Sequence, residues 1–595
     1  MNFFKIFFAS LLAIIVSFVA IIVIFVGSIT AWIVGSTATQ TIKPKSVLVV
    51  DLDESIIDSP VSNPLSMIDL STFTIRTQIS TLDAIRAIES AATDDNIKGI
   101  YIRSRMASGH SMALMEELRY EIECFRESGK FIVAYGDGYS QEEYYLASVA
   151  DSLYLQPEGM IVWQGLSANS TFYKGLLDKL DVNVEVFRPT SCNYKSAIEP
   201  FTRTNMSSES RQQNQMLIES MWSTITADVA ESRQLTPNIL DRYANKLISF
   251  SSSDAKKSRL VDSLIYEDQL DAILQSLGAE IDDNGRAHRV SLSNYISTMT
   301  LNLAPMQSKN KVAVIYAEGV IVDGSGEIGE VGGDDMARTI RKIRNDDDVK
   351  SVVLRVNSPG GSALASDIIW REVELLRQTK PVIVSMGNYA ASGGYYISAP
   401  ADMIIANDLT ITGSIGVYGM LLDIEESLSS KLGITFDSAV TNTSADFMRT
   451  SRPITYTERA VMNRSVDQVY DTFTSHVSEG RNLSIGRVRE ISQGRVWSGA
   501  DAQNVGLVDG IGGLKTAILF AAQRAGMAED FEITQHTPDS EDWTMIFSPM
   551  IKLAMTKFAT TPRLINSYQY EKLMRDLKFL DAKGGMIMFS PIRVD

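Results

Sequence analysis

Two hydrophobic periods alternate along most of this chain. SVLVVDLDESII, from Ser46, has the aliphatic run of a buried strand, and STLDAIRAIESA then places apolar residues at helical spacing. GIYIR, FIVAY and SLYL read as further strands, separated by MALMEELRYEIECFRES and EEYYLASVA as helices. Strands alternating with amphipathic helices predict crossover connections and a largely parallel sheet, which is an α/β fold.

The order then repeats. KVAVIYAEGVI, DDMARTIRKIRN, SVVLRV, ASDIIWREVELLRQ, PVIVSM, SGGYYISAP and DMIIA succeed one another, so that residues 350–417 echo residues 98–166. A helical arm follows each copy: SSESRQQNQMLIESMWSTITADVAESR in the first, TERAVMNRSVDQVYDTFTSHVSEGR in the second. The expected organisation is a first α/β domain at 43–280, a polar joint at 281–310, a second α/β domain at 311–526 and a tail at 527–595 with no counterpart in the first half. Within the tail, WTMIFSPMIKLAMTKF reads as a helix packed on its own domain in preference to one lying on a membrane surface.

Composition narrows the classes. At 595 residues the chain exceeds what one core supports, and a net charge of −17 argues against a nucleic-acid surface, which needs clustered Lys and Arg. The two cysteines, Cys124 and Cys192, and the four histidines, His110, His288, His476 and His536, show no metal-ligand spacing; neither a metal nor a cofactor is expected. No residue from Ile6 to Ile42 is charged, and the apolar stretch there exceeds the about 20 residues that cross a bilayer. It predicts one N-terminal transmembrane anchor over 1–42, because a cleaved secretory signal has a shorter apolar region of about 7–15 residues. Lys5 on one side, and Lys43 and Lys45 on the other, leave orientation undetermined.

Candidate chemistry gathers at two glycine-rich turns. Ser392 follows the strand PVIVSM and the loop GNYAA and precedes Gly393 and Gly394, a strand–turn–helix corner of the kind that exposes a hydroxyl. A helix cap is the plainer reading of the same serine. The second turn, Asn357-Ser358-Pro359-Gly360-Gly361-Ser362, follows SVVLRV and opens another helix. Turns at the carboxyl ends of neighbouring strands converge on one crevice, where the N–H of Gly361 or Gly360 together with that of Gly393 would form an oxyanion hole. The first copy has Gln141 where the second has Ser392, and RMASGH in place of the second turn, with His110 opposite Ser362. No histidine lies near the later turns, so a Ser/His/Asp triad is unsupported. Lys195 in CNYKSAIEPF is a candidate base by its apolar neighbours, since desolvation frees an amine of its proton; a solvated surface lysine is the alternative.

Taken together, NSPGGS, NYAASGGYYISAPAD, TGSIGVYG and, in the other half, YKSAIEPFTR resemble the motifs of the signal peptide peptidase A family in its long two-domain bacterial form. The resemblance covers the chain from the anchor to about Gly526. It implies tandem duplicated ClpP/crotonase-like domains with helical arms behind the anchor, and a serine endopeptidase with a Ser/Lys dyad. Carried over motif by motif, Ser392 would be the nucleophile, Lys195 the general base and Ser414 in TGSIGV the serine that orients the lysine. Gly361 and Gly393 match the oxyanion positions. The first-half counterpart of Ser414 is Trp163, and Met448 stands roughly opposite Lys195. The resemblance further implies signal peptides and other apolar peptides as substrates, a homotetramer, contact with the lipid bilayer and a place in the bacterial inner membrane with the soluble domains in the periplasm. Three alternatives stay open: a related membrane protease trimming one partner protein, a catalytically silent oligomeric membrane scaffold, and a crotonase-like acyl-CoA enzyme.

Overall fold

The computed structural model describes residues 42–60, 68–69, 74–75, 78–107, 109–302, 309–327, 329–527, 531–538 and 587–589. The expected anchor (apart from Ile42) and the stretch WTMIFSPMIKLAMTKF lie outside the described residues, among which no helix is long and apolar enough to cross a membrane.

The first half is built on β1 (Ser46–Asp51), α1 (Thr81–Thr93), β2 (Ile97–Ser104), α2 (Met112–Arg126), β3 (Phe131–Gly136), α3 (Gln141–Ala147) and β4 (Ser152–Leu155). A strand β5 (Asn183–Phe187) and the long helix α4 (Ser208–Arg233) leave this unit, and β6 (Ser263–Leu264) and β7 (Arg289–Ser291) return to it. The sheet order is β6-β4-β3-β2-β1-β7, with every pairing parallel.

In the second half, β8 (Lys311–Glu318), β9 (Val320–Val322), β10 (Glu330–Gly332), α5 (Gly333–Arg344), β11 (Val349–Ser358), β12 (Gly360–Ser362), α6 (Ala363–Arg377), β13 (Val382–Ala391), α7 (Gly393–Ser398) and β14 (Met403–Ala406) follow the same plan. They are succeeded by β15 (Ile411–Gly413), β16 (Gly419–Asp423), α8 (Tyr456–Gly480), β17 (Val496–Ser498), β18 (Gly510–Ile511), α9 (Leu514–Arg524), β19 (Glu532–His536) and β20 (Ile587–Phe589). The parallel ladder β18-β14-β13-β11-β8-β19 reproduces the first sheet strand for strand. Both faces of the central strands are covered, which is why their residues are predominantly apolar. On one face Ala313, Ile315, Leu354 and Val384 meet Ile340, Ile369 and Val373 of α5 and α6; on the other Val312, Val314, Val353 and Ile383 meet Leu514, Ala517 and Ile518 of α9.

Two segments differ from expectation. The supposed polar joint contributes β7 and a helix, Leu292–Asn302, whose Leu292 and Tyr295 enter the first core. The start of the tail does have a first-half counterpart: β19 pairs with β8 as β7 pairs with β1. Both are short edge strands whose place is set by backbone pairing, and RVS and EITQH share no side-chain pattern that would reveal it.

The halves are joined through their cores. Leu409, Ile411 and Val496 of the second half pack in the first half's core, and Leu82 of the first packs in the second's. Arg355 on β11, almost fully buried, reaches Asp58 at 2.7 Å and Glu117 of α2 at 2.9 Å, both in the first half. Outside the main sheets, β5 and β16 form an antiparallel ribbon, Phe187 opposite Gly419 and Asn183 opposite Asp423.

Candidate active site

Ser392 sits directly after β13 and caps α7, with φ 57° and ψ −114°. A β-carbon-bearing residue adopts that conformation at a cost, which the surrounding backbone meets by over-determining it. Its N–H donates to the carbonyl of Gly413 at 2.8 Å, and β13 runs beside β15 there, Ala391 opposite Gly413. Ser414 therefore stands next to Ser392, also at positive φ (53°), held by its own N–H to the carbonyl of Arg495 at 2.6 Å.

The lysine arrives from the other half. The β5–β16 ribbon carries the segment after Phe187 across the boundary, and Lys195 ends that segment as a 3₁₀ turn, Ser196–Ile198, begins. Its Nζ lies 2.7 Å from Ser392 Oγ, 3.0 Å from Ser414 Oγ and 2.9 Å from the Ser414 carbonyl oxygen. Lys195, Ser392 and Ser414 are all fully buried. Burial pulls the Lys195 amine down from its ordinary 10.5 to about 7, with the Cys192 thiol the opposing influence. Near neutrality a large share of this amine is unprotonated. Its two N–H groups then match the two Ser414 oxygens, and its lone pair is left for the Ser392 hydroxyl.

The two glycine turns lie against each other. The Gly393 N–H, in the first turn of α7, is one of those that helix geometry leaves without an intrahelical partner. A β-carbon at Gly393 would stand 2.6 Å from Ser366 Oγ and 3.2 Å from the amide nitrogen of Gly361, so side-chain-free backbone is what lets the turns close on each other. The Gly360 N–H is engaged by Ser358 Oγ at 3.1 Å.

Several supports carry no sequence signature. Gln213 of α4, almost fully buried, donates through Nε2 to the Tyr194 carbonyl at 2.9 Å and to Ser196 Oγ at 2.8 Å, and its Oε1 accepts from Val496 N–H at 3.3 Å. Gln493 accepts from the Tyr194 N–H at 3.0 Å, and Gly494, at φ +81°, donates to the Ile415 carbonyl at 2.8 Å. A β-carbon on Gly494 would lie 2.6 Å from Lys195 Cβ. Residues 493–495 thus stitch the lysine loop to the Ser414 turn. A glycine in QGRVW was the sole visible hint, and nothing in the sequence named its partner.

The equivalent place in the first half is filled. Gln141 Oε1 accepts the N–H groups of Gln164 and Gly165 at 3.2 and 3.0 Å, and Trp163, fully buried, donates Nε1–H to the Leu240 carbonyl at 3.1 Å. One correspondence shifts by a residue. Ser362 caps α6 and Ser111 caps α2, each accepting from an N–H three residues on, so Ser111 is the counterpart of Ser362 and His110 falls opposite Gly361. Met448 is exposed, remote from any role like that of Lys195.

The peptidase family S49 model matches residues 124–280 and 374–528, one stretch in each half. The chain belongs to peptidase family S49. It is 37% identical over 529 residues to Protease 4 of Haemophilus influenzae, covering 85% of this chain and 84% of that one. It is 31% identical over 450 residues to the chloroplastic serine protease SPPA of Arabidopsis thaliana, covering 75% and 65% of the two chains. A third family relative, a putative signal peptide peptidase SppA of Enterococcus faecium, is 36% identical over 226 residues, 37% of this chain and 64% of that protein.

Proposed function

We propose that this S49 chain is a membrane-anchored serine endopeptidase that degrades cleaved signal peptides, with Ser392 as nucleophile and Lys195 as general base. The observation that carries the reading is the 2.7 Å approach of a fully buried lysine amine to a serine hydroxyl, made between two halves of one chain. The neutral amine takes the hydroxyl proton as Ser392 Oγ attacks the scissile carbonyl. The N–H groups of Gly393 and Gly361 stabilise the oxyanion, a contribution typically about 10²–10³-fold in rate per donor. Lys195 then protonates the leaving amine, and accepts a proton from the water that releases the acyl group. Ser414 holds the amine so that its lone pair faces Ser392.

The substrate class rests on the likeness to the putative signal peptide peptidase SppA of Enterococcus faecium and on the apolar N-terminal stretch, which would hold the site at a bilayer. On this reading each half is a ClpP/crotonase-type unit and the soluble part faces the periplasm. On the same reading the chain assembles as a homotetramer. The deciding experiment is labelling by a serine-directed fluorophosphonate in detergent. Labelling and cleavage of an apolar peptide are expected for the wild type, lost in Ser392→Ala and strongly reduced in Lys195→Ala. An unlabelled, inactive wild type would instead favour the scaffold or an acyl-CoA reaction, and light scattering that finds a monomer would remove the tetramer.

A further inference from the structure

Arg495 touches the site by its backbone on one side and by its side chain on the other. Its carbonyl oxygen accepts the Ser414 N–H at 2.6 Å, beside the lysine amine. Its guanidinium lies over the ring of Tyr194, the residue before Lys195, at 5.4 Å from the centroid, and over the ring of Trp497 at 4.1 Å. A planar cation is drawn to the negative face of each ring. The Nε–H, closed off from solvent, has no hydrogen-bond partner among the described residues, and Nη2–H donates to Met216 Sδ of α4 at 2.8 Å. The two rings therefore do most to set where this side chain lies.

Each ring is tied in turn to one of the reacting groups. Trp497 stands opposite Thr412 where β17 pairs with β15, and a β-carbon on Gly413 would be 2.8 Å from its Cδ1. The Gly413 carbonyl is the group that accepts the Ser392 N–H. Tyr194 is engaged at every polar group: its N–H donates to the Gln493 carbonyl, its own carbonyl accepts from Gln213 Nε2, and its hydroxyl donates to Gln212 Oε1 at 3.2 Å. A continuous path of contacts thus runs from Ser392 through Gly413, Trp497, Arg495 and Tyr194 to Lys195.

We propose that Arg495 is a positioning residue, which acts through Tyr194 and Trp497 to hold the Lys195 loop against the Ser392 and Ser414 turns and so fixes the distance between base and nucleophile. The proposal rests on the peptidase reading of the same site. Lysine is a poor substitute here, because a point charge on a flexible stem cannot lie flat on an aromatic ring.

The test compares the full-length wild type with Arg495→Met, which keeps the side chain's length but neither its charge nor its plane, with Arg495→Lys and with Tyr194→Leu. Cleavage of an apolar reporter peptide is normalised to the sites that a fluorophosphonate labels. Arg495→Met is expected to lower kcat about 10- to 10²-fold with KM nearly unchanged, and Arg495→Lys to fall between it and the wild type. The rising limb of the pH profile is expected to move up from about 7 as water reaches the amine. Tyr194→Leu breaks the same contact, so the double variant with Arg495→Met should lose little more than either alone. Losses that multiply in the double variant overturn the proposal, as do a per-site kcat and a pH limb like those of the wild type, which a purely structural role would give. Should Arg495→Met fail to fold, Arg495→Lys and Tyr194→Leu carry the same comparison. Acetylation of Lys195 by acetic anhydride, followed by mass spectrometry, reads the amine without any cleavage, and it is expected to titrate at higher pH in the variants. That shift, with no fluorophosphonate labelling of any chain, would uphold the positioning while refuting Ser392 as nucleophile; an unchanged titration overturns the positioning whether or not the chain cleaves peptides.

Discussion

A lysine amine acts as a base only without its proton, and in this chain burial alone accounts for the depression at Lys195. The rate of peptide cleavage should consequently rise as pH passes about 7 and level off above it, a limb visible in a kcat/KM profile. A profile flat from pH 5 to 9 would exclude Lys195 as the titrating base. The same shift has a stability sign. The unfolded lysine holds its proton up to its ordinary 10.5 and the folded one up to about 7, so folding is opposed fully below about pH 7 and no longer opposed above 10.5. Lys195→Met should thus raise the melting temperature most below about pH 7, with a gain that shrinks as pH climbs. The turn at Ser392 and Gly393 was legible from sequence because a tight strand-to-helix corner with little room for side chains leaves a glycine-flanked serine, although the corner itself is buried. The pairing with Lys195 was not: only the family resemblance joined two residues 197 positions apart.

At the scale of elements, the β5–β16 ribbon presents the lysine and the loop at 493–495 sets its final position. Gly494→Ala adds a β-carbon against the Lys195 backbone at a left-handed φ, so the loop must move. A displacement of about 1 Å is enough to cost roughly 10²-fold. Peptide cleavage should fall by that order while circular dichroism stays unchanged; undiminished cleavage would show that the loop has slack. Arg355 makes a second link between elements. Removing Asp58 leaves a buried guanidinium with one carboxylate fewer, and Asp58→Ala should lose about 3–5 kcal/mol, read as a lower denaturant midpoint. The alternation of strand and helix was plain from hydrophobic period, since the central strands are covered on both faces. The edge strands β7 and β19 were hidden because backbone pairing at a sheet edge imposes almost nothing on side chains.

For the whole molecule, duplication with divided chemistry has a direct test. Neither half contains both a lysine in place and an open serine turn: the first half's turn is filled by Gln141 and Trp163, and the second half's Met448 is exposed. Halves produced separately are expected to be inactive toward peptides, and activity should return only when both are produced together. A second half that cleaves alone at the full rate would mean that another base serves Ser392. The ribbon and shared cores also set an order of events. A ribosome delivers Lys195 well before Ser414, Ile415 and Gly494, the residues that enclose it. Until they emerge the amine is hydrated and protonated like any other lysine, and Ser392 itself is made 197 residues after Lys195. Proteolytic capacity therefore waits until synthesis has passed Gly494, 299 residues after Lys195, a delay that the division of the site between the two halves builds in.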